Sequence, residues 1–227
     1  IMGRYKVKND FLKLIKREIR LMSKNFSIIF SFSTFFLIAS LIFVFSVNDI
    51  SYVKFFYKSI VWIVLIFSIM LVSENFLNED YNDGSLKELQ FLGFSEEGIM
   101  LSKSIAMWIM IMLPMLFLLP LIFVFFQITM HELITLVINI SLATPSLTLI
   151  SILSSLFSVQ LKRNKIIQFV IILPFFIPMI IFTTSSETFL GSSNLKENQF
   201  LILIGIFFIT LPICLLTGRL IMKEINK

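Results

Sequence analysis

The stretch "IAMWIMIMLPMLFLLPLIFVFFQ", residues 105–127, decides the fold, because it contains no charged side chain. An apolar run of about 20 residues is long enough to cross the hydrocarbon core of a bilayer as a helix. In lipid the backbone N–H and C=O groups have no water to bond, so a spanning segment must satisfy them itself, as a helix does. Residues 105–127 therefore predict a transmembrane helix.

Five further apolar runs of similar length occur in this chain of 227 residues, of which 57% are apolar. The mean hydropathy is +0.95. Transmembrane β-barrels would show alternating ten-residue segments, which are absent. The sequence predicts an all-α polytopic membrane protein with six transmembrane helices, the third and fourth separated by a short turn around residues 130–132. The other five predicted spans are 26–47, 56–74, 133–158, 166–184 and 200–218.

Basic residues are distributed unevenly between the two sides of the membrane that these spans define. Sixteen of the Lys and Arg residues fall on one side and three on the other. Cytoplasmic loops carry the excess of Lys and Arg, so both termini are predicted to face the cytoplasm or its equivalent. We attribute the formal charge of +5 and the pI of about 9.4 to this rule and to contact with anionic lipid, rather than to nucleic-acid binding. The sixteen are Arg4, Lys6, Lys8, Lys13, Lys16, Arg17, Arg20, Lys24, Lys87, Lys103, Lys162, Arg163, Lys165, Arg219, Lys223 and Lys227; the three are Lys54, Lys58 and Lys196.

Residues 1–25 precede the first span and are predicted to form a cytoplasmic amphipathic elbow helix at the membrane interface. Residues 9–24 have helical periodicity behind a predicted cap at Asn9 and Asp10. Two interpretations stay open: a basic topology signal that happens to be helical, or an elbow helix that touches a cytoplasmic partner. The following span has no cleavage site after it and is expected to remain as an anchor. The predicted apolar face holds Phe11, Leu12, Ile15, Ile19 and Met22, and the basic face Lys13, Lys16, Arg17, Arg20 and Lys24.

The segment "NEDYNDGSLKELQF", residues 78–91, concentrates charge in an otherwise apolar chain. Half of the 14 carboxylates lie between Glu74 and Glu97. "NDG" is a turn signal, Ser85 with Glu88 reads as a capping box, and Gly93 is placed to end the short helix. We predict a cytoplasmic coupling loop, 75–104, whose helix docks into a cleft on a soluble partner. A merely solvated loop is the alternative.

The sequence lacks the chemical groups that several classes of enzyme and transporter require. Among Asp, Glu, Lys, Arg and His, the six runs contain only Lys58 and Glu74, near the two ends of the second run, whereas ion-coupled transport and intramembrane hydrolysis need such groups at membrane depth. His131 reads as a solvated turn residue, and Cys214 as a buried apolar side chain that has no disulfide partner. The glycines form no nucleotide-binding loop. The sequence predicts no enzyme and no resident cofactor or metal, and the energy for any transport must come from another polypeptide.

Two patterns within the spans concern helix packing. All six prolines lie within predicted spans, where each favours a kink, and Pro174 and Pro178 are one turn apart. Small hydroxyl residues form one stripe along the fourth span, for which we favour close helix packing over a substrate-lining surface. The stripe consists of Ser141, Thr144, Thr148, Ser151, Ser155 and Ser158.

The connection 185–199 reads as a flexible external loop, with contact to an external partner as the alternative.

The order of these features resembles the ABC-2-type permeases, and more closely the haem exporter protein B (CcmB) family of the cytochrome c maturation system. The resemblance rests on the N-terminal helix, six spans and the "ED-x-x-DGSL-x-x-L" segment after the second span. Three further stretches carry the narrower match: "LSKSIAMWIMIMLPMLFLLPL" at 101–121, "LATPSLTLISIL" at 142–153 and "ILPFFIPMIIF" at 172–182. Lys87 departs from the family pattern, which often has an acid at this position.

The resemblance implies a non-catalytic permease subunit that pairs with a separate ABC ATPase, two copies of each, and with further membrane subunits that handle haem. ATP would bind to the partner, and haem would be a substrate of the complex rather than a cofactor of this chain. The alternatives are an ABC-2 exporter of a lipid, glycan or drug, and an assembly subunit without an energised partner. The membrane would be a bacterial or a mitochondrial inner membrane. The ATPase contact carried over from the family is Glu79, Asp80, Asp83, Gly84, Ser85, Leu86 and Leu89.

Overall fold

The computed structural model describes residues 7–47, 49–160, 166–184 and 195–225. These residues form eight helices and no strand, which confirms the predicted all-α class. Helix α6 lies at the centre of the bundle and contacts α3, α5, α7 and α8, while α2 packs on α3 and α1 packs on α5. The helices are α1 Val7–Lys24, α2 Phe26–Ser46, α3 Ile50–Asn82, α4 Ser85–Phe91, α5 Glu96–Phe125, α6 Met130–Gln160, α7 Ile166–Thr184 and α8 Leu195–Ile225.

Five of these helices are apolar and long enough to cross a membrane, so the chain is a multi-pass membrane protein. The predicted fifth span corresponds to α7, in which the apolar stretch within the described residues, Ile172–Thr183, is shorter than a full span. The predicted count of six is therefore not confirmed. The candidate spans are Phe26–Ser46, Ser51–Asn82, Glu96–Phe126, Met130–Val159 and Phe200–Glu224.

The predicted loop 75–104 is largely helical, because α3 and α5 extend beyond the apolar runs inside them. Residues 75–82 form the last turns of α3, and 96–104 form the first turns of α5. No Gly or Pro interrupts residues 74–82, so the change from apolar to polar side chains ends the lipid-compatible segment but not the helix. With 33 and 30 residues, α3 and α5 are roughly 50 and 45 Å long, against about 30 Å for a bilayer core.

The N-terminal helix is present, but it covers its own bundle rather than presenting a free apolar face. Leu14 and Met22 are buried, and α1 packs against α5. Leu12, which was predicted to share the apolar face, is 66% exposed. Asn9 and Asp10, predicted to precede the helix, lie within α1, which begins at Val7. Of the other predicted interfacial residues, Phe11, Ile15, Arg17 and Ile19 are partly buried, and Arg20 is exposed.

The turn between α5 and α6 lies at residues 126–129, ahead of the predicted 130–132. Thr129 starts α6 with a reciprocal cap: its backbone N–H and its hydroxyl donate to the Glu132 carboxylate, at 2.6 and 2.8 Å. This "T-x-x-E" signal in the sequence places the helix start one turn earlier than the apolar run does. His131 is exposed in the first turn of α6, in agreement with a solvated residue. Of the segment 185–199, residues 185–194 lie outside the described residues and 195–199 belong to α8, so the predicted loop is too long.

The hydroxyl stripe of α6 bonds across to neighbouring helices, which supports close packing. The Ser151 and Ser155 hydroxyls lie 2.5 and 3.1 Å from the Ser73 hydroxyl of α3. On the α5 side, the Trp108 indole N–H donates to the Thr144 hydroxyl at 3.0 Å. Small polar residues allow such close approach and bond across the contact. All six prolines lie inside helices, and Cys214 is buried, as predicted.

The contact between α5 and α8 leaves no room for a side chain at Gly218. A Cβ at this position would lie 2.2 Å from the Met100 sulfur, which is itself buried. We expect Gly218→Ala to lower the free energy of unfolding by about 1–3 kcal/mol, as overpacking does. The midpoint of thermal unfolding of the detergent-purified protein measures this effect.

The matched control is Gly205→Ala in the same helix, where nothing lies within 4 Å of the added Cβ. It should leave the midpoint unchanged or raise it, because Ala favours a helix interior more than Gly does. Adding Met100→Ala to Gly218→Ala should recover part of the loss. Equal midpoints for the two single variants would contradict the close α5–α8 contact.

Candidate coupling site

Helix α4 begins at a left-handed glycine rather than at the predicted capping box. Gly84 has φ +73° and is the N-cap, so Ser85 is already the first helical residue. The Ser85 hydroxyl does not cap the helix but donates to the Asp80 carboxylate at 2.9 Å. The prediction of a helix starting at Ser85 is confirmed, whereas the proposed role of Ser85 with Glu88 is wrong. The tight turn brings α4 back against the end of α3, close enough for a side-chain bond that replaces the cap.

The end of α4 is fixed by a Schellman motif around Gly93, as the glycine predicted. The Phe94 N–H bonds the Leu89 carbonyl at 3.3 Å, and the Gly93 N–H bonds the Gln90 carbonyl at 3.0 Å. Gly93 has φ +87°, a conformation that L side chains rarely adopt. Ser95 then caps α5 by accepting a bond from the Gly98 N–H at 3.2 Å. Both ends of this seven-residue helix are therefore held in place by backbone geometry.

The predicted partner-contact residues divide between two faces of this segment. Asp80, Leu86 and Leu89 are buried against their own chain. Glu79 and Asp83 are exposed, while Gly84 and Ser85 are partly buried. The inward residues thus hold α4 on the bundle, and only the outward ones are free to meet another protein.

The outward side of α4 also exposes apolar side chains that the sequence interpretation did not select. Phe91 is 90% exposed and Leu92 is 68% exposed, next to the exposed Lys87 and Glu88. Helical periodicity gives the signal for Phe91, since it lies about 200° around the axis of α4 from the buried Leu89. A solvent-exposed aromatic side chain beside charged groups is typical of a protein contact.

Lys103 lies at the centre of a buried ionic cluster that joins three helices. Its ammonium group, on α5, bonds Glu18 of α1 at 2.8 Å and also pairs with Asp80 at the end of α3. The side chains of Lys103 and Glu18 are fully buried. The ammonium also lies 4.7 Å from the centre of the Phe76 ring of α3, within range of a cation–π interaction. Through Ser85 and Asp80, the cluster extends to α4.

The two carboxylates differ in their other partners. Glu18 also pairs with Arg17 at 2.6 Å, and the Arg17 side chain is 35% exposed. Asp80 is bonded by the neutral Ser85 hydroxyl. Nearby, the Asn25 amide between α1 and α2 donates to Glu79 at 2.6 Å, which ties the elbow to the exposed end of α3. A crevice of about 540 Å³ opens between these elements and is bordered by Arg17, Lys24, Glu79, Asp83 and Glu88 among others.

Neither Glu18 nor Lys103 was selected as a site residue from the sequence. Glu18 follows Arg17 on a helix dense in basic residues, and Lys103 was counted only as one of the basic residues on the cytoplasmic side. A signal exists for Glu18, because it is one turn from Leu14 and Met22 and so lies on the apolar face. The sequence does not show that a residue 85 positions away supplies the counter-charge, since that pairing depends on α1 folding back on α5.

The cluster has the chemistry of a structural linkage. Within the described ranges no group of three or more His, Cys, Asp or Glu side chains is placed to hold a metal ion. The cluster pairs its charges inside the fold. What it can do is hold α1, α3, α4 and α5 in one arrangement.

Comparisons with known proteins find one matching family model and several relatives of the same name. A sequence model described as "CcmB protein" matches residues 9–217. "Heme exporter protein B" of Haemophilus influenzae is 28% identical over 176 residues, covering 77% of this chain and 80% of the relative. The protein of the same name from Escherichia coli K12 is 26% identical over 86% of this chain and 89% of its own length. An uncharacterized protein of Rickettsia conorii is 30% identical over 96% of this chain and 98% of its own length.

The ionic cluster predicts a large effect of removing its cation. Lys103→Met leaves Glu18 and Asp80 facing each other without their shared counter-charge, so we expect a loss of about 3–5 kcal/mol in the free energy of unfolding. The comparison variant is Arg219→Met on α8, which removes a more exposed ion pair, 3.1 Å long, with Glu97 of α5. That variant should cost at most about 1 kcal/mol. Thermal unfolding in detergent measures both, and equal effects would show that the buried cluster has no special weight.

Proposed function

Because the chain belongs to the CcmB protein family, we propose that it is the membrane permease subunit of an ABC transporter complex for cytochrome c biogenesis. The complex exports haem or releases a haem-loaded chaperone. The names of the relatives from Haemophilus influenzae and Escherichia coli, "Heme exporter protein B", support haem as the substrate of the complex. This chain is a transport subunit and not an enzyme.

The energy for this process comes from ATP bound and hydrolysed on a separate ABC ATPase subunit. The observation that carries the proposal is the construction of α4: a short helix, fixed at both ends, with buried residues on one side and exposed Phe91 and Leu92 on the other. A rigid helix that projects an aromatic anchor suits docking into an apolar cleft. The excess of basic residues supports a cytoplasmic location for this end of the molecule, where an ATPase would be found.

The ATPase contact is formed by the outward members of the predicted set, with three additions. Glu79 and Asp83 contribute charge, and Glu88, Phe91 and Leu92 join them. The inward members act by holding α4 in position: Asp80, Ser85, Leu86 and Leu89 bond or pack within the chain. Gly84 allows the tight turn between α3 and α4.

The complete assembly contains two copies of this chain and two of the ATPase, together with membrane subunits that handle haem. It lies in a bacterial or mitochondrial inner membrane, with both termini of this chain on the cytoplasmic or matrix side. Haem is cargo of the complex, and this chain holds no cofactor of its own. The lipid bilayer surrounds the long apolar helices.

Phe91→Asp should abolish co-purification of the ATPase without unfolding the permease. The side chain is almost fully exposed, so the substitution removes an apolar anchor and places a charge in the partner's cleft, at little cost to the free energy of unfolding. A pull-down in mild detergent, with partner identification by mass spectrometry, measures the loss. We expect at least about a tenfold reduction, equivalent to about 1.4 kcal/mol or more of binding free energy.

Leu12→Asp is the matched control, because Leu12 is also a largely exposed apolar residue, on α1. It should leave the ATPase bound. Unimpaired ATPase recovery with Phe91→Asp, in protein of normal thermal stability, would rule out α4 as the docking helix.

Complementation separates haem export from transport of a lipid, glycan or drug. A bacterium from which its own haem exporter protein B has been deleted should regain covalently bound haem in its c-type cytochromes when it expresses this chain with its cognate ATPase. Haem-stained membrane fractions give the readout. The Phe91→Asp variant is expected to fail in the same assay. Failure of the unaltered chain, inserted in the membrane and bound to its ATPase, would favour another substrate.

A further inference from the structure

We propose that Lys103 is a positioning residue that transmits movement of α4 to the membrane helix α5, and that its bond to Glu18 is the one that opens during the transport cycle. This inference rests on the proposed coupling to an ATPase. It assigns a role to a buried ion cluster that lies behind the docking surface and does not touch the partner.

A continuous series of polar contacts runs from α4 to α5. The Ser85 hydroxyl, in the first turn of α4, bonds the Asp80 carboxylate, and this carboxylate pairs with the Lys103 ammonium. Buried Leu86 and Leu89 pack beside this series. A displacement of α4 by a partner therefore acts on α5 through Asp80 and Lys103, because leaving either charge behind in the interior would cost several kcal/mol.

The cluster is asymmetric, and the asymmetry determines which contact opens. Lys103 makes two interactions with α3, an ion pair with Asp80 and a cation–π contact with Phe76, but one with α1, the bond to Glu18. Glu18 keeps a counter-charge if Lys103 leaves, because Arg17 is bonded to it at 2.6 Å. Asp80 would keep only the neutral Ser85 hydroxyl among the contacts described. Separation of Glu18 from Lys103 thus exposes no unpaired carboxylate, whereas separation of Asp80 from Lys103 does.

The partly exposed position of Arg17 favours the same direction of opening. Water can reach the Arg17 guanidinium, whose side chain is 35% exposed, and would solvate Glu18 from that side as α1 moves away. The crevice bordered by Arg17, Met22 and Asn25 already separates part of α1 from the end of α3. We therefore infer that α3, α4 and α5 move as one unit, hinged against the elbow helix α1.

Cysteine accessibility tests this movement directly. Cys214→Ser removes the lone native thiol, and Leu14→Cys or Leu86→Cys then places one thiol on the buried face of α1 or of α4, at positions that are 2% and 5% exposed. The rate of maleimide labelling is measured in the complete complex with the ATPase, without nucleotide and during ATP hydrolysis. Hydrolysis should raise the rate for Leu14→Cys by about tenfold or more and leave that for Leu86→Cys unchanged, since only an opened face exposes a reactive thiolate.

The opposite pattern, with faster labelling of Leu86→Cys alone, would overturn the proposal, and so would equal acceleration at both positions. If the unaltered chain binds no ATPase, the proposed function itself fails. If it binds and stimulates the ATPase but neither thiol responds to hydrolysis, only the present inference fails. The two failures are thus distinguishable within one experiment.

A charge-removal series separates transmission from stability. Lys103→Met alone leaves the Asp80 carboxylate without a counter-charge and destabilises the fold, so the decisive variant combines it with Glu18→Gln and Asp80→Asn, which leaves no buried charge among the three. This triple variant should still bind the ATPase, because Asp80→Asn keeps an oxygen acceptor for the Ser85 hydroxyl that holds α4, yet it should yield at least about tenfold less c-type cytochrome per ATP hydrolysed. Lys103→Arg, which keeps the charge, should retain more of this yield. A normal yield from the stable triple variant would show that the cluster only stabilises the fold.

Discussion

The buried ammonium group of Lys103 constrains everything around it. An ion removed from water costs several kcal/mol, and only close counter-charges with good geometry offset that cost. Here the counter-charges come from two other helices, Glu18 on α1 and Asp80 on α3. The elbow helix, the end of α3 and the start of α5 must therefore meet at one point. Helix α4 joins the same point because the Ser85 hydroxyl bonds Asp80.

The lengths of the helices explain why this cluster can exist in a membrane protein. Charged groups at membrane depth are costly, and the cluster avoids that depth because α3 and α5 continue past their apolar runs. The α5 extension packs against α1, and the side chains of Lys103 and Glu18 are fully buried there. Deeper in the bundle, polar contacts are made by hydroxyl groups such as Ser73 with Ser151, which carry no charge and suit the apolar surroundings.

Membership of the CcmB family fits a division of labour within the short helix α4. Its inward side chains belong to the core of the permease, and its outward side chains face the medium. A substitution that disturbs Leu86 is expected to act on the fold, whereas one at Phe91 is expected to act on binding. This distinction matters for any mutational study of the DGSL segment, because neighbouring residues along the chain perform different tasks.

The sequence alone determined the class of the protein: uncharged runs of about 20 residues have no stable form in lipid other than helices. It also determined the start of α4 at Ser85 and its end before Gly93, because turn and cap signals are local. Only the tertiary structure decided that residues 75–82 and 96–104 are helical, that Leu86 and Leu89 face inward, and that Lys103 pairs with Glu18. The physical reason is distance along the chain: Glu18 and Lys103 are 85 residues apart, and their attraction is established only after α1 has packed on α5.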